Sequence, residues 1–492
     1  MENSCQWPSI WSIAFILDQD RIMSSIVVVL SAAASALLVQ PHYHGVQTSR
    51  TRVATSPVCD LTTGTKRESR FAPIVEFSPG KRYREMAQSG EKFYQGRDES
   101  SVAALKKAMG DVGNRKIVVI TGCSSGLGFF CVKHLLKESR DGYYVVAAVR
   151  DPAKMDEEAE SLGISKKDYT AVELQLASFE SVQDFANDLK SALPGGKLDR
   201  LVCNAAVYLP TDPVPRWTDD GFEMSLQVNH LSHFLLVQLL LPALKKADKP
   251  RCCIVGSVTG NKNTVAGSLV KPVADVGDLS GLKAGAGQTM VDGAKKFDGA
   301  KAYKDAKALN MMTVLELHRR LHDETGITFN SMYPGCIAST NLLYVSASHA
   351  RRVGGSTFRC HYHHAHARAR LLSAHCPICR TGSTSHKRAA LRSREKREWF
   401  RYFFFPTLMK AIGSYVTQPE AGERLASVIT DDITEKSGVY WSWNGNAKKI
   451  GIGNAGGSGG EIFENEFSSM CRDAKNGALS WEYSMEAVKD FL

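Results

Sequence analysis

One glycine-rich stretch constrains this chain more than any other feature. Arg115–Thr121 (RKIVVIT) is a short β-rich run that leads directly into Thr121-Gly122-Cys123-Ser124-Ser125-Gly126-Leu127-Gly128. Leu127–Ser139 follows with helical spacing of its apolar residues. A strand that ends in closely spaced glycines and opens a helix lets the backbone approach a pyrophosphate. The free N–H groups of the first helical turn then supply positive potential. Gly122, Ser124, Ser125, Gly126, Leu127 and Gly128 are thereby candidate dinucleotide contacts. A bare glycine turn also occurs without any ligand, so the rest of the chain must carry the reading.

Further along, Tyr143–Arg150 (YYVVAAVR) reads as a second buried strand, and Asp199–Cys203 and Arg251–Gly256 as two more, with helical patterns between them. Strands alternating with helices predict an α/β, Rossmann-like doubly wound parallel sheet forming a single catalytic domain. Right-handed crossovers then place ligands at the carboxyl ends of the strands. The second strand ends at Arg150 with no terminal acid, and Lys154 follows four residues later. An acid there would bind the ribose hydroxyls of NAD, whereas cations accommodate the 2′-phosphate of NADP. Arg150 and Lys154 favour NADPH; a solvated cation pair is the plain alternative.

Charge excludes one class of partner. Of the net +10, the stretch Leu343–Ser393 contributes +9, with nine Lys or Arg and no acid, leaving the rest close to neutral. No basic surface for nucleic acid is supported outside that segment. The twelve cysteines form no disulfide-like framework, and adjacent Cys252 and Cys253 read as buried free thiols. Only Cys376-Pro-Ile-Cys379 has metal-ligand spacing. From Met23, the apolar run Ile26–Val39 is too short to span a bilayer and ends near an A-x-A pattern, as in a signal peptide. Residues 40–70 are rich in Ser, Thr and Arg, as transit peptides are. Together they read as a bipartite plastid presequence over residues 1–75, with Met1–Ile22 a candidate misassigned start.

Tyr303 and Lys307 in YKDAK lie four apart and share a helix face. A cation beside the phenol is expected to lower its pKa from about 10 and ease proton transfer. The pair alone is weak. Its order along the chain is stronger: glycine turn, Asn204-Ala205-Ala206, Asn229, Ser257, Tyr303, Lys307. That series is the landmark set of short-chain dehydrogenases.

Ser257 and Tyr303 lie 46 positions apart, where most members of that superfamily separate them by about a dozen. With NHLSHF (229–234), VGSVTGN (255–261), YPGCIAST (333–340) and SGVYWSWN (437–444), the chain resembles the light-dependent protochlorophyllide oxidoreductases over roughly residues 110–342 and 394–445. The resemblance implies light-driven reduction of the C17=C18 double bond of protochlorophyllide by NADPH, with the pigment absorbing the photon. It implies Tyr303 as proton donor, Lys307 orienting the ribose, Ser257 as the catalytic hydroxyl and Asn229 organising the lysine and a relay water. Cys336 would place the pigment, a buried core thiol being the alternative. Asn204 and Ala205 would line the nucleotide, and Ile337 and Thr340 would flank the nicotinamide carboxamide. It further implies a plastid location, in the stroma or peripheral to thylakoid membranes, and is compatible with a homo-oligomer.

Departures from the family pattern are two. Gln175 in LQLAS stands where the family has Asp, which predicts weaker adenine recognition. Residues 343–393 lack periodicity and hold seven of the fourteen histidines; removing them joins Thr340-Asn341-Leu342 to Arg394-Glu395-Lys396 and restores the family pattern. A retained intron, a disordered basic insertion and a zinc site on Cys376 and Cys379 compete for this segment, and no metal is assigned. The expected organisation is a catalytic domain over 110–342 and 394–470, a glycine-rich flexible linker at Gly451–Gly460 and a helical tail at 471–492. Rival functions are a dark short-chain reductase of a lipid or retinoid carbonyl, and a noncatalytic pigment- or NADP-binding protein.

Overall fold

The computed structural model describes residues 92–137, 142–337, 415–445 and 457–492. The presequence, residues 343–393, Thr340 and most of the Gly451–Gly460 run lie outside them. The first helix, α1 (Glu99–Gly110), is capped by Asp98, whose carboxylate accepts the Ser100 N–H. Then follow β1 (Lys116–Thr121), α2 (Gly126–Lys137), β2 (Tyr143–Val149), α3 (Pro152–Ser161), β3 (Tyr169–Glu173), α4 (Phe179–Ala192) and β4 (Arg200–Cys203). A helical segment starts at Met224–Leu226, passes through a π turn at Gln227–Leu231 and continues as α5 (Ser232–Leu244). After β5 (Arg251–Val255) come α6 (Gly299–Leu317), β6 (Thr328–Met332), α7 (Gln418–Thr430), β7 (Val439–Trp443), β8 (Ile462–Asn465) and α8 (Ala474–Val488).

The strands form one sheet in the order β3-β2-β1-β4-β5-β6-β7-β8. All pairings are parallel except β7 with β8. Successive side chains on a strand point to opposite faces, and both faces are covered. Val119, Val146, Leu201, Cys252 and Ile254 pack beneath α1, α4, α5, α6 and α8. Val118, Ile120, Val145, Val202, Cys253 and Val255 pack beneath α2, α3 and α7. Burial on both faces explains why these strands read as continuous apolar runs. It also sends the adjacent Cys252 and Cys253 to opposite layers. Among the described residues every cysteine is free, and only Cys336 is partly exposed.

The doubly wound parallel sheet is the architecture expected; the antiparallel edge strand β8 is an addition to it. The end of the glycine run is tied down rather than flexible: Arg424 donates to the carbonyls of Gly457 and Gly459, and the Gly459 N–H donates to Glu420. Ahead of the expected domain start at 110, the Phe93 and Tyr94 N–H groups already donate to Asp219 at 2.8 and 3.0 Å. At the other end, α8 lies against α5 and α6. The Trp481 ring stands edge-on to Phe234 at 5.1 Å, with the Arg320 guanidinium 4.9 Å above it.

Candidate active site

The parallel arrangement brings the carboxyl ends of β1, β2, β4 and β5 to one side, and the expected residues gather there. Gly122 (φ +64°) and Gly126 (φ +60°) take left-handed conformations that a side chain disfavours. A Cβ on Gly122 would come 2.6 Å from the Ala205 Cβ, and one on Gly128 would come 2.6 Å from the Asn204 Nδ2. The turn is thus moulded against the loop after β4. Asn204 Nδ2 donates to the Thr121 and Gly122 carbonyls at 2.9 and 3.1 Å, and Thr121 Oγ1 accepts the Asn204 and Ala205 N–H groups at 2.9 and 3.0 Å. Ser124, Ser125, Gly126 and Leu127 are half-buried at the mouth of this turn.

Arg150 follows β2 directly and is exposed, while Lys154 is half-buried in the first turn of α3. The acid beside Arg150 is occupied elsewhere. Asp151 is the N-cap of α3, and its carboxylate accepts the Lys154 N–H at 3.1 Å. Gln175 is buried, with its Oε1 taking the Ala177 N–H at 3.3 Å. Glycines that bring the backbone close and a helix N-terminus together fit the pyrophosphate of a nicotinamide dinucleotide, with Arg150 and Lys154 following β2.

On the chemical side, Ser257 leaves β5 into a 3₁₀ turn, with its Oγ 2.9 Å from Thr259 Oγ1. Tyr303 and Lys307 rise on α6, whose N-terminus Asp298 caps by accepting the Ala300 and Lys301 N–H groups at 3.0 Å. The Tyr303 ring packs on Tyr208, with centroids 4.8 Å apart. The 46-position gap is filled by a layer bonded to α6. Asp305 accepts the Asp275 N–H at 2.8 Å, Lys301 bridges Asp292 and Asp305 at 2.9 and 2.5 Å, and Lys304 donates to the Val270 carbonyl at 2.8 Å. The residues between and beside the Tyr–Lys pair therefore hold the extra segment.

Electrostatics correct one expectation. The phenol of Tyr303 is not lowered: burial pushes its pKa up to about 12, against an opposing hydrogen bond from Ser257. The ammonium of Lys307, itself pulled down to about 8 by burial, donates to the Val255 carbonyl at 2.7 Å. Its charge is directed at β5 and not at the phenol. Tyr303 consequently keeps its proton at neutral pH, as a donor must.

Asn229 lies in the π turn, fully buried, and clamps Val207 from both sides: its Oδ1 accepts the Val207 N–H at 2.7 Å, and its Nδ2 donates to the Val207 carbonyl at 3.0 Å. π turns recur at functional sites because they displace one carbonyl from the helical ladder. Here the Asn229 carbonyl faces Asn310 Nδ2 at 2.9 Å and His233 Nδ1 at 3.2 Å. Cys336 is partly exposed and forms a backbone bridge with Tyr415; burial raises its thiol to about 11. Ile337 is half-buried beside it. Sequence reasoning missed Tyr208 and His233. The i,i+4 spacing of Asn229 and His233 within NHLSHF was the available signal for the histidine.

A parallel sheet with a glycine turn at β1 and a Ser–Tyr–Lys set beyond β5 defines an oxidoreductase that uses a nicotinamide dinucleotide. The family described as short chain dehydrogenase matches residues 116–269. "Protochlorophyllide reductase, chloroplastic" of Cucumis sativus is 42% identical over 376 residues, covering 75% of this chain and 77% of that protein. The protein of the same description from Chlamydomonas reinhardtii is 42% identical over 379 residues, covering 76% and 78%. "Protochlorophyllide reductase" of Avena sativa is 40% identical over 380 residues, covering 76% of this chain and 99% of that one. The chain belongs to the protochlorophyllide reductase family of short-chain dehydrogenases, as the sequence motifs led one to expect.

Proposed function

We propose that this protein uses NADPH and light to reduce the C17=C18 double bond of protochlorophyllide, giving chlorophyllide in plastid chlorophyll synthesis. The observation that carries the reading is the Tyr303 phenol, buried, neutral at physiological pH and set beside Ser257 where the sheet's strands end. Bound NADPH supplies the hydride. Reduction leaves negative charge on the adjoining carbon, and Tyr303 neutralises it by donating the phenolic proton. The Ser257 hydroxyl stabilises the phenolate that results. Lys307 holds the nucleotide ribose, and Asn229 steadies the loop at Val207 that borders the site. Gly122, Ser124, Ser125, Gly126, Leu127 and Gly128 receive the pyrophosphate, with Asn204 and Ala205 alongside. Arg150 and Lys154 take the 2′-phosphate, Gln175 the adenine, and Ile337 with Thr340 the carboxamide. Cys336 helps to place the pigment.

Relatives described as chloroplastic support a plastid location, with residues 1–75 as the presequence and residues 343–393 as an insertion the catalytic domain does not need. Among the described residues no helix is long and apolar enough to cross a membrane; a hydrophobic substrate favours peripheral association with plastid membranes. The test is to mix the protein with NADPH and protochlorophyllide and record absorbance in darkness and after a flash. The substrate band should persist in darkness and move to the product position only on illumination. Equal turnover in darkness would overturn the light-driven reading in favour of a dark reductase.

A further inference from the structure

His233 sits one turn after Asn229 at the start of α5, fully buried, and each of its ring nitrogens faces a different half of the site. Its Nδ1 is 3.2 Å from the Asn229 backbone oxygen. A carbonyl only accepts, so Nδ1 carries the proton. Its Nε2 is 2.9 Å from Thr121 Oγ1, and in a neutral ring it accepts the threonine O–H. The alternative acceptor for that hydroxyl, the Val202 carbonyl, is farther at 3.4 Å. With its hydrogen turned to the imidazole, Thr121 Oγ1 keeps its lone pairs for the Asn204 and Ala205 N–H groups at 2.9 and 3.0 Å. A protonated His233 would aim a second N–H at an oxygen that already accepts two.

Burial keeps the ring neutral, with a pKa lowered to about 3, and the titratable groups facing it, Lys307 and His230, act in the same direction. One chain of hydrogen bonds thus runs from the loop after β4 through Thr121 and His233 to the Asn229 carbonyl. Beyond it, Asn310 and His230 extend the chain to Ser484 on α8 at 2.9 to 3.1 Å.

We propose that His233 is a positioning residue that holds the two halves of the site separately, the dinucleotide turn through Nε2 and the π turn carrying Asn229 through Nδ1. The inference rests on reading Thr121–Gly128 as the nucleotide site.

Two conservative variants separate the halves. His233→Asn keeps a donor at the Nδ1 position and loses the acceptor for Thr121; His233→Gln places an acceptor near the Nε2 position and loses the donor to Asn229. Losing one buried hydrogen bond is worth about tenfold. His233→Asn should therefore raise the Kd for NADPH in darkness about tenfold while leaving the rate at saturating NADPH within about twofold. His233→Gln should do the reverse, slowing the proton step after a flash about tenfold with Kd nearly unchanged. Thr121→Val leaves the histidine in place but also removes the acceptor for the Asn204 and Ala205 N–H groups, so its Kd should rise at least as much as in His233→Asn, and adding His233→Asn to it should raise Kd no further.

Both His233 variants changing Kd and rate together, or an unchanged Kd in Thr121→Val, would overturn this two-sided role. Absence of NADPH binding in the unsubstituted chain would overturn the site reading and the two-sided role with it. Normal binding without a flash reaction would overturn the proposed reaction alone, and an unchanged Kd in His233→Asn would then overturn the two-sided role.

Discussion

Replacing Tyr303 by Phe removes a single oxygen from the centre of the proposed chemistry. The ring keeps its packing on Tyr208 at 4.8 Å, and the lost hydroxyl costs folding about 1 kcal/mol or less. NADPH affinity should stay within a few-fold. Chemistry should not. A positioned general acid contributes roughly 10²–10⁴ in rate, about 3–5 kcal/mol of barrier at 1.36 kcal/mol per factor of ten. The phenol stands at about 12, so in the unsubstituted protein its protonation imposes no pH dependence through the neutral range. A fall in rate above pH 8 would report Lys307, which loses its proton near there. Flash measurements that resolve hydride and proton steps, with Kd measured in darkness, provide the assay. Cys336 also keeps its proton at neutral pH, at about 11, and is the competing donor. A normal proton step in Tyr303→Phe beside a blocked one in Cys336→Ser would refute the assignment and transfer the role to the cysteine.

Other outcomes follow from the same geometry. NADPH should bind at least tenfold more tightly than NADH, about 1.4 kcal/mol, and Arg150→Ala should erase most of that preference in a titration of both nucleotides. Lys307→Met should weaken NADPH binding and turnover without lowering the melting temperature at pH 7. The Lys307 ammonium stands at about 8 in the folded chain against 10.5 unfolded, so between those values the unfolded state binds more protons and stability rises with pH. That rise should diminish in Lys307→Met, and its persistence in melts from pH 8 to 10.5 would refute the burial argument. Asp305→Ala should destabilise the fold by about 2 kcal/mol in denaturant melts, because it removes the acceptor for the Asp275 N–H and one of the two carboxylates on half-buried Lys301, leaving only Asp292. Deleting Leu343–Ser393 should leave activity and melting temperature the same or higher; loss of folding together with stoichiometric zinc would instead establish a metal site there.

The sequence by itself determined the kind of fold and most of the candidate site. Strands buried on both faces must be continuously apolar, so β1, β2, β4 and β5 announce themselves. A glycine turn is legible because glycine adopts the positive φ of Gly122 and Gly126 without strain and leaves room for Ala205 against Gly122 and Asn204 against Gly128. The fixed order of Asn229, Ser257, Tyr303 and Lys307 needed no coordinates. The Asp151 cap could also be read locally, though only with the helix start in hand.

What tertiary structure alone decided is everything that depends on who faces whom across the chain. The edge strand β8 takes its place only because β7 offers a free edge. The 46-position gap becomes a bonded layer only when Asp275 and Asp292 reach α6. The phenol pKa illustrates the reason most directly. Spacing alone puts Lys307 one turn from Tyr303 and suggests a lowered pKa, but burial raises it because desolvation acts through the whole surrounding volume. His233 joins Thr121 across 112 positions of sequence; such a contact is set by packing of the folded layers, which no local pattern encodes.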